Sequence, residues 1–443
     1  RMMISSASSI ADGQYYYTGF STGAGIAPFT HSFALQNGGI VYTGAGNVNV
    51  GSPATSKDSI IVLRNSGAYY FVKSESYPRW TLMWISPSGT TTNLYPSVGL
   101  WRGTDANVDY VSVPEATWLP TPLAYDTFTR ADGEIGVSEV TGPDSQITPS
   151  LDWTGGVISS GKNIITPELG SELVTNGGFD SDTAWTKTGQ WLISDGNANV
   201  TATGTSSLSQ SILSSGNWYS ASVDTSGGPT YEPEVLFGGY FSGNGYGAGG
   251  IFTGRAGAGT AIQFNVYNGW YATVDNISVK PLTFSSLFST ISTENTDIVE
   301  DINITSIAGT QAGIVTNLDS EIQPTAGILA YLVRVNNSTG AQIRIDKFTS
   351  ATTWVNLQST SVTYSPGATL RVITYHSDLN TLKVRVYYNN ALVGSEQTIT
   401  DPEIINNTRH GLFSTYEGNT FDNFSILLEV QMVNTMIYLQ KIS

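Results

Sequence analysis

Pairs of carboxylates are the first residues to consider, because a glycoside hydrolase needs two of them facing one sugar bond. Residues two apart on a strand face the same side, and Glu232 and Glu234 have that spacing. Pro233 lies between them, removes a strand hydrogen bond and favours an edge or a loop. The adjacent Glu300 and Asp301 would face opposite sides of a strand, and we expect both to be solvated. The sequence therefore predicts no catalytic carboxylate pair.

Nucleophilic and metal-assisted chemistry also lack their usual sequence patterns. The chain has no cysteine and three histidines, His31, His376 and His410, none with a second histidine at ligand spacing. No G-x-S-x-G and no H-E-x-x-H motif is present. A Ser-His-Asp triad remains compatible with the sequence, because its members need not be neighbours. We expect surface or packing roles for the histidines and predict that the protein is not an enzyme.

Aromatic side chains are the residues best suited to a binding role. A sugar ring presents C–H groups on one face, and an exposed Trp or Tyr gives that face an apolar platform. The candidates for carbohydrate contact are Trp218, Tyr219, Tyr240, Tyr246, Trp270 and Tyr271. In the adjacent pairs, one ring should face the interior and the other outward or toward a cleft, because neighbours on a strand alternate. We expect Trp185 and Trp191 to be core residues instead.

Charge and hydropathy argue against two kinds of interaction, binding to nucleic acid and crossing a membrane. Charged residues make up 12% of the 443 residues, about half the roughly 25% of an ordinary soluble domain. The formal net charge is −16 and no basic stripe is present, which argues against nucleic-acid binding. No apolar run reaches 18 residues, so we expect no membrane span.

Strands dominate the sequence pattern. Alternating runs such as Ile343–Phe348 and Leu382–Tyr388 are rich in β-branched and aromatic residues, and turn clusters such as NSTG and SPSG separate them. No segment keeps a 3.6-residue apolar period over three turns. The sequence therefore predicts an all-β protein.

One short motif occurs three times, as VDYVSVP at 108–114, VDNISVKP at 274–281 and FDNFSILL at 421–428. The unequal spacing excludes a solenoid, whose period would be fixed. We interpret each copy as the closing strand of a separate β-sandwich.

The motif copies, together with changes in composition, define the predicted domains. A proline-rich linker ends near Pro122, and 123–167 is too short to form a β core alone. The simplest organisation is therefore one sandwich inserted into another, with four sequential domains as the alternative. The predicted units are a sandwich at 1–122, a discontinuous sandwich of 123–167 and 283–430, an inserted jelly roll at 168–282, and a tail at 431–443. We interpret the tail as a final strand, a disordered end or an apolar arm that adds a strand to a neighbouring subunit.

Two stretches carry a resemblance to known families. DTFTRADG at 126–133 and FDNFSI at 421–426 resemble the concanavalin A-like (laminin G-like) lectin and glucanase sandwiches of bacterial and phage surface proteins. NGGFDSDTAWTKTGQW at 176–191 resembles the start of galactose-binding-like jelly-roll carbohydrate-binding modules. Residues 1–122 look like the second half of another concanavalin-like module.

The resemblance implies a calcium site, and oxygen ligands from Asp and backbone carbonyls suit that ion. Jelly-roll modules of this kind often hold a structural ion where the first and last strands meet, a place that corresponds to Asp180 and Asp275. By the same geometry Asp126 and Asp422 would meet in the host sandwich. The alternative is that these Asp residues accept backbone hydrogen bonds in turns.

The function that the resemblance implies is non-enzymatic glycan binding on a surface. Its expected setting is extracellular or on a virion, as a decoration, fibre or adhesion protein that contacts glycans and copies of itself or other virion subunits. The first alternative is a glycoside hydrolase or lyase with an accessory binding module. The second is a purely structural assembly subunit.

Overall fold

The structure is a computed structural model, and its described residues are all-β, as the sequence predicts. It describes nine strands within residues 2–112, and then residues 122–428 apart from short gaps. The gaps are 143–147, 202, 227–232, 245–249, 268, 270 and 335–338. Every strand pair described is antiparallel, which is the pattern of sandwiches and jelly rolls. No helix in the described part of the chain is long and apolar enough to cross a membrane.

The first nine strands form two sheets. They are β1 Met2–Ser9, β2 Tyr15–Ser21, β3 Phe29–Gln36, β4 Val41–Thr43, β5 Lys57–Leu63, β6 Ala68–Ser74, β7 Thr81–Ser86, β8 Tyr95–Trp101 and β9 Asn107–Ser112. The strand orders are β7-β6-β5-β1-β9 and β4-β3-β2-β8. Tyr70 of the first sheet and His31 of the second approach each other in the interior, with 3.4 Å between the Tyr70 hydroxyl and the His31 Nδ1.

Four short strands follow, and they end where the jelly-roll segment begins. They are β10 Ala124–Asp126, β11 Gly133–Glu134, β12 Val157–Ser159 and β13 Lys162–Ile164.

The segment 168–282 forms its own two five-stranded sheets. Its strands are β14 Thr186–Thr188, β15 Leu192–Ser194, β16 Asn197–Thr201, β17 Ser206–Ser211, β18 Trp218–Ser226, β19 Glu234–Phe237, β20 Tyr240–Asn244, β21 Gly250–Arg255, β22 Ala261–Val266 and β23 Tyr271–Pro281. The strand orders are β14-β17-β22-β19-β20 and β15-β16-β23-β18-β21. Alternate residues of both sheets fill one core, in which Trp185 and Trp191 are buried as expected.

The remaining strands complete the chain. They are β24 Phe288–Ser292, β25 Ile298–Thr305, β26 Gln311–Leu318, β27 Gly327–Val333, β28 Gly340–Ser350, β29 Thr353–Thr363, β30 Ala368–Asp378, β31 Thr381–Tyr388, β32 Ala391–Leu392, β33 Gln397–Ile399, β34 Arg409–Ser414 and β35 Thr420–Leu428, with a 3-10 turn at Phe284–Leu287 and a helical turn, α1, at Pro402–Ile405.

One large sheet contains strands from both sides of the segment 168–282. Its order is β11-β12-β13-β35-β25-β30-β31-β32, with β10 also paired to β35 and β33 to β31. A second sheet, β24-β34-β26-β27-β28-β29, lies opposite. A single hydrophobic core holds residues from both stretches, and the Trp153 ring lies 4.8 Å from that of Phe424.

The ends of the segment 168–282 lie side by side. Leu169 forms a β-bridge with Leu282, and the Gly170 amide donates to the Pro281 carbonyl at 2.8 Å. The Thr283 amide donates to the Glu168 carbonyl at 2.9 Å. Because the chain leaves and returns at one place, the strands before and after the segment can pair without strain.

The repeated motif is a β-bulge in all three places. Along β23, three residue steps from Asp275 to Ser278 face two steps on the partner strand, and β35 is irregular at the same motif position. The register of β9 also shifts by one residue at its motif. The Asn after Asp has a positive φ, 50° at Asn276 and 53° at Asn423, a conformation that Asn tolerates better than most residues. The motif therefore encodes a local kink with increased twist in the last strand of each segment.

Asp126 of the DTFTRADG motif organises the start of the large sheet. Its side chain is buried and accepts two hydrogen bonds from the Arg130 guanidinium, at 2.7 and 3.0 Å. It also accepts from the Phe128 amide at 2.8 Å and from the Trp153 indole N–H at 3.0 Å. The carboxylate is thus fully used in holding the motif loop and the Trp153 ring against the core.

We predict that Asp126→Ala lowers the free energy of unfolding by about 3 kcal/mol, because it leaves the buried Trp153 indole and the Phe128 amide without their acceptor and removes the ion-pair partner of Arg130. Urea unfolding followed by tryptophan fluorescence would measure the change. Asp422→Ala is the matched control: the Asp422 side chain is partly exposed, whereas that of Asp126 is fully buried, so the loss should stay below about 1 kcal/mol. Equal losses in the two variants would contradict this role.

Candidate functional site

The predicted carboxylate positions hold no exposed acid–base pair among the described residues. Glu232 lies outside the described residues, and Glu234 accepts a hydrogen bond from the Tyr267 hydroxyl. The expectation that Glu300 and Asp301 are solvated is wrong. Asp301 forms a bidentate ion pair with Arg371, at 2.6 and 2.9 Å, and Glu300 is completely buried.

Glu300 is an ionisable group in an apolar core. It lies on β25 between Ile298 and Ile302, and neither carboxyl oxygen has a hydrogen-bond partner at bonding geometry among the described residues. Burial raises its pKa well above the usual value, and the nearby Asp301 charge raises it further. The Gly411 backbone amide lies close enough to offset a small part of that rise in pKa. Burial therefore favours the protonated form of Glu300, which acts as a packing residue.

Two of the histidines are packing residues, and the third forms a hydrogen bond with a carboxylate. His410 is buried, its Nδ1 lies 2.7 Å from the Thr316 hydroxyl, and burial lowers its pKa to about 4. His31 is also buried, and burial lowers its pKa. The Nδ1 of His376 contacts Asp297 at 2.5 Å, as in a catalytic dyad. Within the part of the chain that the structure describes, no Ser or Thr hydroxyl bonds to its Nε2, so a triad is not assembled there.

The residues predicted to hold calcium do not form a cation cage. Asp275 accepts hydrogen bonds from the Asn276 amide and side chain, while Asp180 is exposed. In the host, the expected meeting of Asp126 and Asp422 at an ion is wrong, because Arg130 already neutralises Asp126 and Lys162 pairs with Asp422. The described residues contain no group of three or more His, Asp or Glu that could hold a metal. Calcium at Asp180 and Asp275 stays a prediction, and no functional step is derived from it.

The aromatic candidates separate into buried and exposed rings. Trp218 and Tyr219 are each 2% exposed, which corrects their assignment as glycan contacts, since a ring without a free face cannot stack on a sugar. Tyr240 and Tyr271 are 47% and 46% exposed. We expected one ring of each adjacent pair to face outward, and this is wrong for Trp218 and Tyr219. The face of β18 opposite the jelly-roll core is covered by the host sandwich. Tyr246 and Trp270 lie outside the described residues.

Trp218 is the contact through which the jelly roll packs on its host. Its ring lies 5.3 Å from Phe413, 5.8 Å from Trp354 and 6.2 Å from Tyr331, all in edge-on arrangements. Tyr219, its neighbour, faces the opposite way and stacks on Phe237 in the jelly-roll core. Strand β18 therefore contributes Tyr219 to the jelly-roll core and Trp218 to another hydrophobic cluster. The cluster that contains Trp218 joins the two sandwiches.

A pocket opens beside this contact, and we call it the junction pocket. It is a small cleft that is partly open to solvent and has room for about one or two water molecules. The residues that define it are Trp218, Tyr240 and Arg255 from the jelly roll, and Gln311, Tyr331 and Arg344 from the host. Clefts between domains are common ligand sites, because two surfaces can contribute different groups to one space.

Asp346 is the electrostatic centre beneath the junction pocket. Its buried carboxylate accepts from Arg255 at 3.1 Å, from the Tyr331 hydroxyl at 2.8 Å and from the Asn356 amide at 2.7 Å. Burial, together with the charge of Asp346, raises the pKa of Tyr331 far above its ordinary value, so this hydroxyl stays protonated. The Arg255 guanidinium also lies 4.6 Å from the Trp354 ring centre and 6.0 Å from that of Tyr240.

Two residues that line the junction pocket carry a buried donor with no acceptor among the described residues. The donors are the indole N–H of Trp218 and the Nε–H of Arg344, and both nitrogen atoms are inaccessible to solvent. Among the described residues, Arg344 also makes a long contact of 3.5 Å from its guanidinium to the Gln342 side-chain oxygen. An unpaired buried donor costs about 1–3 kcal/mol, so such groups are rare unless a water or a ligand meets them.

Sequence analysis singled out two aromatic residues of the junction pocket, Trp218 and Tyr240, but missed Tyr331 and both arginines. A signal was available for Arg344, which lies between the inward-facing Ile343 and Ile345 and must therefore face the other side of its sheet. Arg255 lies within a glycine-rich run, and nothing in that run indicates that Asp346 lies opposite.

Comparison with known proteins gives remote structural likenesses. No family model and no curated protein matches the chain. The chain is similar to a structure described as the CBM2 module of an evolved Dit protein of Lactobacillus casei BL23 phage J-1, with 10% identity, 60% of this chain and 98% of that chain covered, and a TM-score of 0.19. It is also similar to the GH43 protein BlXynB of Bacillus licheniformis, with 10% identity, 95% of this chain and 97% of that chain covered, and a TM-score of 0.23. At these TM-scores neither likeness carries an argument.

We predict that Glu300→Gln makes the protein more stable than the wild type at pH 8 and that the advantage disappears near pH 4. The folded wild type retains a proton on Glu300 that the unfolded chain releases above pH 4.3 or so, so its stability falls by about 1.4 kcal/mol per pH unit until the folded pKa is reached. Urea midpoints from pH 4 to 8 would measure this. The exposed Glu134→Gln is the control, and parallel curves for wild type and Glu300→Gln would contradict the prediction.

Proposed function

We propose that this chain is a non-enzymatic, surface-displayed protein that binds glycans, with the junction pocket as its binding site. The observation that carries the proposal is the exposed Tyr240 ring at the rim of a pocket that Arg255 and Arg344 also line. A sugar needs both features, an apolar platform for its C–H face and polar groups for its hydroxyls.

The carboxylates of the junction pocket favour binding over hydrolysis. A glycosidase needs two carboxyl groups, one of them free to donate a proton and the other to attack or activate water. The carboxylate beneath this pocket, Asp346, is buried and already accepts hydrogen bonds from three side chains, one of them an arginine. None of the described residues that line the pocket is an Asp or Glu, which supports a binding role rather than a glycoside hydrolase or lyase.

The proposed organisation has three sandwiches, at 1–122, at 123–167 with 283–430, and at 168–282, followed by a tail at 431–443. The shared core of the discontinuous unit and the paired ends of the inserted one support it. A modular chain of this kind suits an extracellular or virion-surface setting, as a decoration, fibre or adhesion component that assembles with copies of itself or with other subunits. A purely structural role would instead require the junction pocket to be covered in the assembly.

We predict that Tyr240→Ala weakens binding of a glycan found by array screening by up to about tenfold, because a sugar–aromatic contact contributes about 0.5–1.5 kcal/mol. Isothermal titration with that glycan would measure the change. Tyr271→Ala removes an equally exposed tyrosine of the same jelly roll that does not line the pocket, and it should bind like the wild type. If the wild type binds no glycan, or if Tyr271→Ala alone loses binding, the proposed site is wrong.

A further inference from the structure

We infer that the exposed edge of strand β29 is the surface through which two copies of this chain associate. In the dimer, the β29 strands of the two copies pair antiparallel across a two-fold axis, and the two six-stranded host sheets become one sheet of twelve strands. The inference goes beyond the proposed function, which includes contact between copies without locating it, and it does not depend on glycan binding.

Strand β29 is the longest edge strand among the described residues of 122–428. It lies at the end of the sheet β24-β34-β26-β27-β28-β29 and has 11 residues, Thr353–Thr363. The other strands at the ends of the sheets in this part of the chain have two to six residues; they are β11, β14, β15, β20, β21, β24 and β32. Because an edge presents a row of unpaired N–H and C=O groups, a long edge can pair with another chain more strongly than a short one.

Two of the shorter edges are covered by other parts of the chain. Thr154 forms a β-bridge with Thr290 of β24, and the Thr253 amide of β21 donates to the Gly309 carbonyl at 2.8 Å. In the described part of the chain, β29 pairs with β28 alone. The fold therefore covers minor edges and leaves its longest one open, and another extended backbone is the partner that such an edge fits.

The far half of β29 is regular and held in place. A bulge leaves Leu357 without a partner on β28, and beyond it residues 358–363 pair one by one with residues 340–345. The Gln358 side chain anchors this stretch to the segment after β32. Its amide donates to the Val393 carbonyl at 2.8 Å, and its side-chain oxygen accepts from the Ser395 amide at 3.0 Å. An edge that is already ordered loses little freedom when a second strand is added.

The side chains of this stretch suit a second copy of the chain. Ser359, Ser361 and Thr363 are exposed, and no residue of β29 is charged. Because each copy carries a net charge of −16, contact between copies is favoured where the surface has no charge. Edges that are protected from pairing commonly carry lysine or proline, and β29 has neither. Two acidic copies can therefore meet at β29 without placing like charges opposite each other.

Two-fold symmetry limits how the two strands can align. The axis is perpendicular to the sheet, so directly opposite residues of the two copies lie on the same face. Because neighbouring residues alternate between faces, one residue must lie on the axis, opposite its own copy. The two Cα atoms at that position are about 4.5–5.5 Å apart, within reach of a disulfide. One residue away from the axis, a position is about 8 Å from its own copy, which a disulfide cannot span.

Disulfide trapping tests this alignment directly, because the chain has no native cysteine. One cysteine is introduced into the full chain at each position from 358 to 363 in turn, and each variant is mildly oxidised. We expect a disulfide-linked dimer at one position and at least about tenfold less at the positions beside it. Ser211→Cys is the control, because Ser211 is exposed but lies on β17, an inner strand of its sheet. No cross-linking at any of these positions, or similar yields at all of them, would overturn the inference.

Sedimentation measures the dimer without a cross-link. Wild-type protein should change from monomer to dimer between about 1 and 100 μM, because pairing of two edges is a small interface. Ser361→Lys adds a lysine from each copy to that interface and should raise the dimer Kd at least about tenfold. Ser211→Lys adds the same charge away from the edge and should dimerise like the wild type. A wild type that stays monomeric, or equal weakening by both lysine variants, would contradict the assigned surface.

The same samples distinguish another occupant of the edge and separate this inference from the proposed function. Residues 431–443 lie outside the described residues, and a peptide of that sequence should not compete with the dimer. Competition would assign the edge to the tail and overturn the inference. A monomer that binds glycan contradicts this inference and leaves the proposed function intact, whereas a dimer that binds no glycan contradicts the proposed function alone.

Discussion

The packing of Trp218 against the host sheet is the contact on which the junction depends. This ring comes from the first position of β18 in the jelly roll and lies among Tyr331, Trp354 and Phe413 of the host. Burying a ring of that size contributes roughly 2–3 kcal/mol or more and fixes the angle at which the two sandwiches meet. With the angle fixed, Arg255 at the end of β21 reaches Asp346, and the two sides of one pocket face each other.

The insertion adds a second constraint that a flexible linker would not provide. The chain enters and leaves the jelly roll at adjacent residues, Leu169 and Leu282, which are bridged to each other. The Leu282 amide also donates to the Trp218 carbonyl at 2.9 Å, so the exit of the jelly roll is tied directly to its packing residue. The Trp218 contact, the Arg255–Asp346 pair and the paired chain ends hold the two sandwiches together. A site between them therefore loses little conformational freedom on binding, which favours affinity for small ligands.

The sequence predicted the local structure well and the contacts between units poorly. Alternation, turn residues and the D-N motif of β23 and β35 are local properties, so the all-β class and the last strands follow from them. What covers the outer face of a strand is not local, and Trp218 was therefore assigned to a glycan when Phe413 and Tyr331 cover it. Glu300 shows the same limit, because its charge predicts solvation while its position between Ile298 and Ile302 buries it.

The few charged residues of this chain explain why the junction pocket stands out chemically. Buried ion pairs cost desolvation energy that their attraction barely repays, so an apolar contact would stabilise the junction at least as well as Arg255 and Asp346. The pair instead orients Tyr331 and holds one guanidinium beside Tyr240, while the Nε of Arg344 has no partner in the part of the chain that the structure describes. An arrangement that gains little stability and preserves unpaired donors is better suited to recognising a ligand than to joining two domains. The hydrophobic contacts of Trp218 already provide the joining, which leaves the polar groups beside it free for binding.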